Sequence, residues 1–461
     1  MQGMVRTRIA PSPTGNPHIG TIYQALFNYA FAKRHKGTFV VRIEDTDRVR
    51  FVEGAEDKLY SSLDWFGLVE DESPRKGGEF APYKQSERLE LYKKYAEQLV
   101  REDKAYYCDC TPERLDEVRK KMQSEKRTPM YDGHCRELGK KSGVIRLKII
   151  PGQTYTWRDG VRGEITFETS KGKDPLIDDQ VLLKSDGFPT YHLAVVVDDH
   201  LMKITQAVRG EEWIPSTAKH VILYHYLGWE KEMPLFHHTP LLRNPDKSKL
   251  SKRHGHTDVT WYREEGFLPE AIINFLGLMG WTHPEEKEIF SLDEFIHLFD
   301  LKDIRVVGPI FDLTKLTWMN GEYIRSMPID ELIKVIKSYY PDATFSSIDD
   351  EKLGKIVVLA QSRIDTLKQF EPLIKHFFPK SLFYTDSEED KAIALSLREE
   401  LEKVSNWETD TILEALRVVL KKHSIRMPVL YTIITGQERG LPLPESLKII
   451  GKEEVLSRLK K

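Results

Sequence analysis

Cysteine is scarce in this chain, with three in 461 residues. The three cannot all pair with one another, and a chain this long can bury a core without disulfides. A disulfide scaffold is therefore excluded, and a reducing cytoplasm is the expected compartment. Long apolar runs are also missing. None approaches the roughly 20 residues that span a bilayer, so no membrane partner is expected. The sequence begins without a basic-then-apolar leader and reaches a strand-like run by Val5, so no secretory or organellar address is read. Charge of one sign is lacking as well: 69 Lys and Arg face 72 Asp and Glu, a formal net charge of −3. Bulk charge thus announces no nucleic-acid partner, and any such site rests on local basic patches. Internal repeats and low-complexity tracts do not occur.

What is present reads as a globular protein of about two to five domains. The first half alternates strand-like and helix-like stretches, the pattern of an α/β fold. Val5–Ala10 is strand-like, and Thr38–Ile43 reads as a buried strand ending in Glu44-Asp45-Thr46-Asp47. Leu193-Ala194-Val195-Val196-Val197 reads as a third strand, ending in Asp198-Asp199. Polar groups at strand carboxyl ends are where open parallel sheets place ligands. Residues 88–183 break this alternation with Gly/Pro turns, all three cysteines and short β-like runs such as Val144–Ile149, and read as an insertion splitting the first domain. From Glu264 the chain is mostly helical, punctuated by Pro328, Pro341, Pro372, Pro379, Pro428, Pro442 and Pro444.

Two segments carry the chemistry. Pro11-Ser12-Pro13-Thr14-Gly15-Asn16-Pro17-His18-Ile19-Gly20 is a Gly/Pro-punctuated turn that opens a helix, whose apolar stripe is Ile19, Ile22, Leu26, Tyr29 and Ala30. Such a turn presents backbone N–H groups and a histidine to phosphate oxygens, where the helix dipole favours negative charge. Far downstream, Lys249-Leu250-Ser251-Lys252-Arg253 offers mobile positive charge. Alone it reads as a solvated basic loop. Together with the first segment it suggests a site where ATP is split while charge builds on the leaving group.

These two segments, with Arg8–Gly15 overlapping the first and Arg42–Asp47, Leu182–Gly187, Pro189–Leu193 and Arg209–Trp213 between them, resemble bacterial-type glutamyl-tRNA synthetases of class I over essentially the whole chain. His18 falls on the leading histidine of the HIGH signature, whose last letter is here Thr21; Lys249 and Lys252 fall on the two lysines of the KMSKS loop. The resemblance implies a class I Rossmann-like catalytic domain (1–87 and 184–242) split by a connective, acceptor-binding insertion (88–183). A stem-contact domain (243–327) carrying the KMSKS-like loop and two α-helical anticodon-binding domains (328–384 and 385–461) follow. It implies ligation of L-glutamate to tRNA(Glu) through an adenylate. His18, Lys249 and Lys252 are then catalytic, with Pro11, Ser12, Gly15 and Gly20 completing the ATP site. Mg2+ accompanies ATP, held largely by phosphate oxygens and water. In the glutamate pocket Arg209 meets the side-chain carboxylate, Arg8 a substrate carboxylate and Glu44 the ammonium, while Tyr191 and Ser12 add hydrogen bonds. Val195 stands where some family members have a polar residue. A monomer is the expected state.

Two further sites are expected. Cys108-Asp109-Cys110 followed by Tyr131-Asp132-Gly133-His134-Cys135 offers three thiolates for a structural Zn2+, with Tyr131 favoured over His134 as fourth ligand beside Cys108, Cys110 and Cys135; three reduced cysteines in a small β-rich insert is the alternative. In the helical tail Ser362-Arg363-Ile364-Asp365-Thr366-Leu367 resembles the segment whose arginine reads the third anticodon base, which makes Arg363 the anticodon candidate. Lys368, Lys375, His376, Lys380, Lys421, Lys422, His423 and Arg426 are further basic candidates for RNA contact. A glutaminyl enzyme of the same fold, and a catalytically silent or regulatory RNA-binding paralogue, are the competing readings. Arg209 speaks against the first, because a neutral amide does not require its charge. Retention of His18, Lys249, Lys252, Glu44 and Arg209 speaks against the second.

Overall fold

A computed structural model describes residues 4–172, 174–250, 257–378, 387–437 and 439–459. The chain forms two compact units, one spanning residues 1–260 and 273–312, the other residues 261–272 and 313–461.

The first unit is built on strands β1 (Arg6–Ile9) and β2 (Thr38–Val41), joined by helix α1 (Ile19–Arg34). All eight strand residues are buried, including the polar Arg6, Thr7, Arg8 and Thr38, as in a sheet covered on both faces. Helix α1 starts where His18 caps it and ends with Lys33 and Arg34, whose charge suits the carboxyl end of the dipole. Its stripe of Ile19, Ile22, Leu26 and Ala30 is buried as the periodicity requires, with Tyr29 half-buried at the margin. Helix α2 (Ala55–Trp65) and helix α3 (Leu89–Arg101) follow. Strand β3 (Ala105–Cys108), helix α4 (Pro112–Ser124) and strands β4 (Val144–Leu147), β5 (Thr154–Asp159), β6 (Gly163–Glu168), β7 (Ser170–Lys171), β8 (Asp174–Pro175) and β9 (Val181–Leu183) come next. Helix α5 (Tyr191–Leu201), strand β10 (Gln206–Gly210), helix α6 (Ile214–Leu227) and strand β11 (Leu235–Thr239) complete the frame.

The main sheet has the order β2-β1-β10-β11-β5-β6, parallel except for the β5–β6 hairpin. Chain order runs from β1 outward to β2 on one side and from β10 to β11 on the other. Between β1 and β10 the direction of winding reverses, and the crevice at their carboxyl ends is where such sheets bind ligands. The segment expected as an insertion supplies both a separate antiparallel sheet, β3-β4-β9, and the hairpin that extends the main sheet beyond β11.

Residues 193–197, read from the sequence as a strand, belong instead to helix α5. Every residue from Leu193 to His200 is buried, so the helix is enclosed on all sides and shows no amphipathic period. A short apolar run of this kind fits a buried strand or a buried helix equally. Asp198 and Asp199 accordingly do not sit at a strand end. They lie in the core, where Asp199 takes both Nε and Nη2 of Arg8 at 3.0 Å and Nη1 of Arg42 at 2.7 Å. Asp198 accepts from Arg88 Nε at 2.7 Å, Gln85 Nε2 at 2.9 Å and the Tyr92 hydroxyl.

The second unit is helical around a core that includes Leu332, Ile336, Leu353, Ile356, Leu397 and Leu416. His376 is completely buried in it, and burial pulls its pKa down to about 4. It is therefore a core residue, which corrects the expectation of an RNA contact. Among the described residues no helix is long and apolar enough to cross a membrane.

Removing one partner of a buried, hydrogen-bonded ion group leaves the others charged in the core, at a cost of about 3–5 kcal/mol. Asp198→Ala is expected to destabilise the first unit by that amount, read as a lowered urea midpoint in tryptophan fluorescence. An unchanged midpoint would show that the cluster is not holding the core.

Candidate active site

A cavity of about 740 Å³ opens at the crevice between β1 and β10. Arg8, Pro11, Ser12, His18, Gly20, Glu44, Tyr191, Arg209 and Lys249, all expected from the sequence, line it, and so does Val195. Gly15 lines an adjoining cavity of about 130 Å³ formed by the Pro11–His18 turn. Lys252 lies outside the described residues. Arg363 is exposed on a short turn, Gln361–Arg363, of the second unit.

His18 is fixed by the helix it caps. Its Nδ1 accepts the Gly20 N–H at 2.9 Å, so the neutral ring carries its proton on Nε2. A Cβ at Gly20 would stand 2.9 Å from that nitrogen, so glycine here lets the imidazole fold back over the helix start. Lys249, more than half exposed, is held by Glu212 at 3.1 Å. The two cationic and hydrogen-bonding elements expected to handle phosphate thus line one cavity although they are far apart in sequence.

Glu44 follows β2, with Arg42 Nη2 3.2 Å from its carboxylate. Burial pushes its carboxyl up to about 7, against the pull of Arg42 and Arg8. Arg8 presents a guanidinium whose Nε and Nη2 are taken by Asp199, while Nη1 makes only a long hydrogen bond, 3.5 Å, to the Val208 carbonyl. Asp199 was not singled out for this role by the sequence, because it was placed on a strand.

Arg209, on β10, is buried and surrounded by neutral acceptors. Nε donates to His238 Nε2 at 3.2 Å, Nη1 to the Tyr191 hydroxyl at 3.0 Å and to His220 Nδ1 at 3.3 Å, and Nη2 to Thr217 Oγ1 at 2.6 Å. Burial, together with the Arg209 charge, pulls the pKa of His220 well below its ordinary value, so the ring is neutral. Among the described residues no carboxylate comes within ion-pair distance of Arg209. A cavity wall with an uncompensated buried cation attracts a carboxylate and disfavours a neutral amide. His238, His220 and Thr217 had no sequence signal: they come from β11 and α6 and meet Arg209 only in the fold.

Away from this cavity, Cys108, Cys110 and Cys135 bring their sulfurs within 4.8 Å of one another. Cys110 and Cys135 are 3.4 Å apart, near the edge of about 3.8 Å that a tetrahedron of Zn–S bonds gives. The Tyr131 hydroxyl lies 3.4 Å from Cys108 and 3.6 Å from Cys110, whereas His134 is exposed. The Arg146 guanidinium sits 3.8 Å over the Tyr131 ring, and Arg114 Nη1 reaches Cys110 at 3.5 Å, so positive charge faces the thiols.

Comparison with known proteins agrees with this geometry. Residues 4–318 match the family described as tRNA synthetases class I (E and Q), catalytic domain, and residues 331–461 match an anticodon binding domain. The chain is similar to glutamate–tRNA ligases of Thermus thermophilus, 44% identical over 99% of both chains, and of Acidothermus cellulolyticus, 44% identical over 99% of this chain and 95% of that one. It is similar in structure to a glutamate tRNA ligase from Elizabethkingia meningosepticum in complex with its amino acid, with a TM-score of 0.84 and 35% identity over 99% of this chain and 98% of that one. A cavity at the switch point of a parallel sheet, an arginine in its wall without a carboxylate partner among the described residues and a match along almost the full length agree: the chain belongs to the class I tRNA synthetases, in the glutamate–tRNA ligase family.

Proposed function

We propose that the chain ligates L-glutamate to the 3′ end of tRNA(Glu) in two ATP-dependent steps. The α-carboxylate of glutamate attacks the α-phosphorus of ATP, the bond to the β-phosphate oxygen breaks, and pyrophosphate departs. The 3′-terminal ribose hydroxyl of tRNA then attacks the glutamyl carbonyl and AMP leaves. The observation that carries this reading is Arg209, a buried guanidinium surrounded only by neutral acceptors in the wall of the cavity. It suits the glutamate side-chain carboxylate, with Tyr191 beside it. Glu44 suits the ammonium and the Nη1 end of Arg8 the substrate's other carboxylate, while Ser12, also in the cavity wall, suits a hydrogen bond to the substrate.

The protein's part in the first step is positioning and charge. His18 and the start of α1, with Pro11, Gly15 and Gly20 shaping the turn, serve the reacting α-phosphate; Lys249 and Lys252 serve the departing pyrophosphate. Mg2+ enters with ATP and neutralises phosphate charge. Cys108, Cys110, Cys135 and Tyr131 would hold a structural Zn2+, and Arg363 would bias the second unit toward tRNA(Glu) over tRNA(Gln).

The assignment is tested by charging purified tRNA(Glu) and tRNA(Gln) with labelled glutamate and glutamine. Glutamate is expected to be transferred and glutamine rejected by about 30- to 3000-fold, the equivalent of about 2–5 kcal/mol for a broken buried charge pair. Arg209→Ala is expected to remove most of that preference, and Arg363→Gln to narrow the ratio between the two tRNAs. Charging with glutamine by the unaltered protein, or none with glutamate, would overturn the assignment.

The Glu44 carboxyl binds an ammonium only when ionised. With its pKa raised to about 7 by burial, binding below neutrality must expel its proton. The KM for glutamate is therefore expected to rise by up to about tenfold per unit as pH falls below 7, and to level off above it, while the KM for ATP stays flat. A glutamate KM constant from pH 5 to 8 would contradict the role of Glu44. For the metal, elemental analysis of protein purified without chelators is expected to give about one zinc per chain. Cys110→Ser is expected to abolish it, and a zinc content near zero in the unaltered protein would remove the site.

A further inference from the structure

Behind Arg209 lies a carboxylate that comes from the inserted segment. Asp159 ends strand β5, on the far side of β11, and is buried. Its two oxygens have separate tasks. Oδ1 accepts the backbone N–H groups of Val161 and Arg162, both at 2.9 Å, which closes the β5–β6 turn. Oδ2 faces His238 Nδ1 at 2.5 Å. On the other edge of the same ring, His238 Nε2 receives the Arg209 Nε–H at 3.2 Å and lies 3.0 Å from Thr217 Oγ1, whose hydroxyl donates to the Trp213 carbonyl. The turn is seated closely on the strand end: a Cβ at Gly160 would stand 2.1 Å from His237 Nδ1, so only glycine lets the hairpin approach this far.

Donor and acceptor chemistry then determine the ring's state. An arginine Nε–H only donates, so His238 Nε2 must carry its lone pair, and the ring proton must sit on Nδ1, where an ionised Asp159 accepts it. The Val161 and Arg162 N–H groups and the His238 hydrogen bond keep Asp159 ionised against the effect of burial, while burial keeps His238 neutral. The carboxylate thus orients Arg209 through an imidazole without forming an ion pair with it, and the arginine's charge stays available on the cavity side.

We infer that Asp159, acting through His238, is a positioning and specificity-determining residue for the side-chain carboxylate of the amino-acid substrate. This rests on the reading of Arg209 given above. Asp159→Asn is a sharp probe, because the two backbone donors hold the acceptor oxygen in place and turn the amide NH2 toward His238. The ring proton then has to move to Nε2, where it meets the Arg209 Nε–H head on.

In tRNA-dependent ATP–pyrophosphate exchange, Asp159→Asn is expected to raise the KM for glutamate about tenfold or more. The KM for ATP and kcat at saturating glutamate should move less than about threefold, the pattern of lost ground-state binding. His238→Gln supplies an amide oxygen at the Nε2 position whatever stands at 159. In that background Asp159→Asn is expected to change the glutamate KM less than about threefold. An unchanged KM in the single variant, or the same loss in both backgrounds, would overturn the inference. Should Asp159→Asn not fold, nitrogen NMR of the full chain with isotope-labelled histidine decides: a proton on Nδ1 of His238 supports the inference and a proton on Nε2 overturns it. Arg209→Ala separates the two levels. If it raises the glutamate KM while Asp159→Asn does not, this inference alone fails; if neither does, both readings fail.

Discussion

The carboxylate of Asp199 joins the pieces on which the cavity depends. It binds Arg8 of β1 through two nitrogens and Arg42, just past β2, through a third, while itself belonging to α5. Burying such charges is costly, and the cost is offset only where geometry is good and the remaining polar atoms are satisfied. The result is positional. The ends of two neighbouring strands and the helix that carries Tyr191 are fixed against one another, and Glu44 is set beside them by Arg42. A pocket that must tell one carboxylate from one amide needs walls that do not yield, and a hydrogen-bonded ionic core provides them better than aliphatic packing does.

Charge is distributed unevenly around the cavity. On the β1 side Arg8 and Arg42 have carboxylate partners. On the β10 side Arg209 has imidazoles, a hydroxyl and a phenol. The first arrangement builds structure and the second leaves a demand for a ligand. Burial raises the pKa of the Glu44 carboxyl and lowers that of the His220 ring, so on both sides it favours the neutral form.

Much of this was legible in the sequence where local rules suffice. Strand β1, the turn after it and α1 follow from the strand-like Val5–Ala10, Gly/Pro punctuation and the helical spacing of Ile19, Ile22, Leu26 and Ala30. The thiol cluster follows from Cys-x-Cys and a third cysteine nearby. Helix α5 was misread because a run buried on all sides has no period to report, and the misreading carried Asp198 and Asp199 to a strand end instead of the core. His376 looked like a surface cation because its burial is decided by the helices around it. Asp159 and His238 were invisible for a different reason: they are 79 positions apart and belong to strands that pair only once the hairpin has joined the sheet.

That hairpin bears on how the family can vary. The segment from 88 to 183 looks like a cassette when read along the chain, with its own small sheet and its own thiols. Yet two of its strands extend the catalytic sheet, and its Asp159 reaches the imidazole behind Arg209. A recombinant cut at those two boundaries would exchange more than a peripheral module. It would replace the outer edge of the sheet and with it the contact between Asp159 and His238.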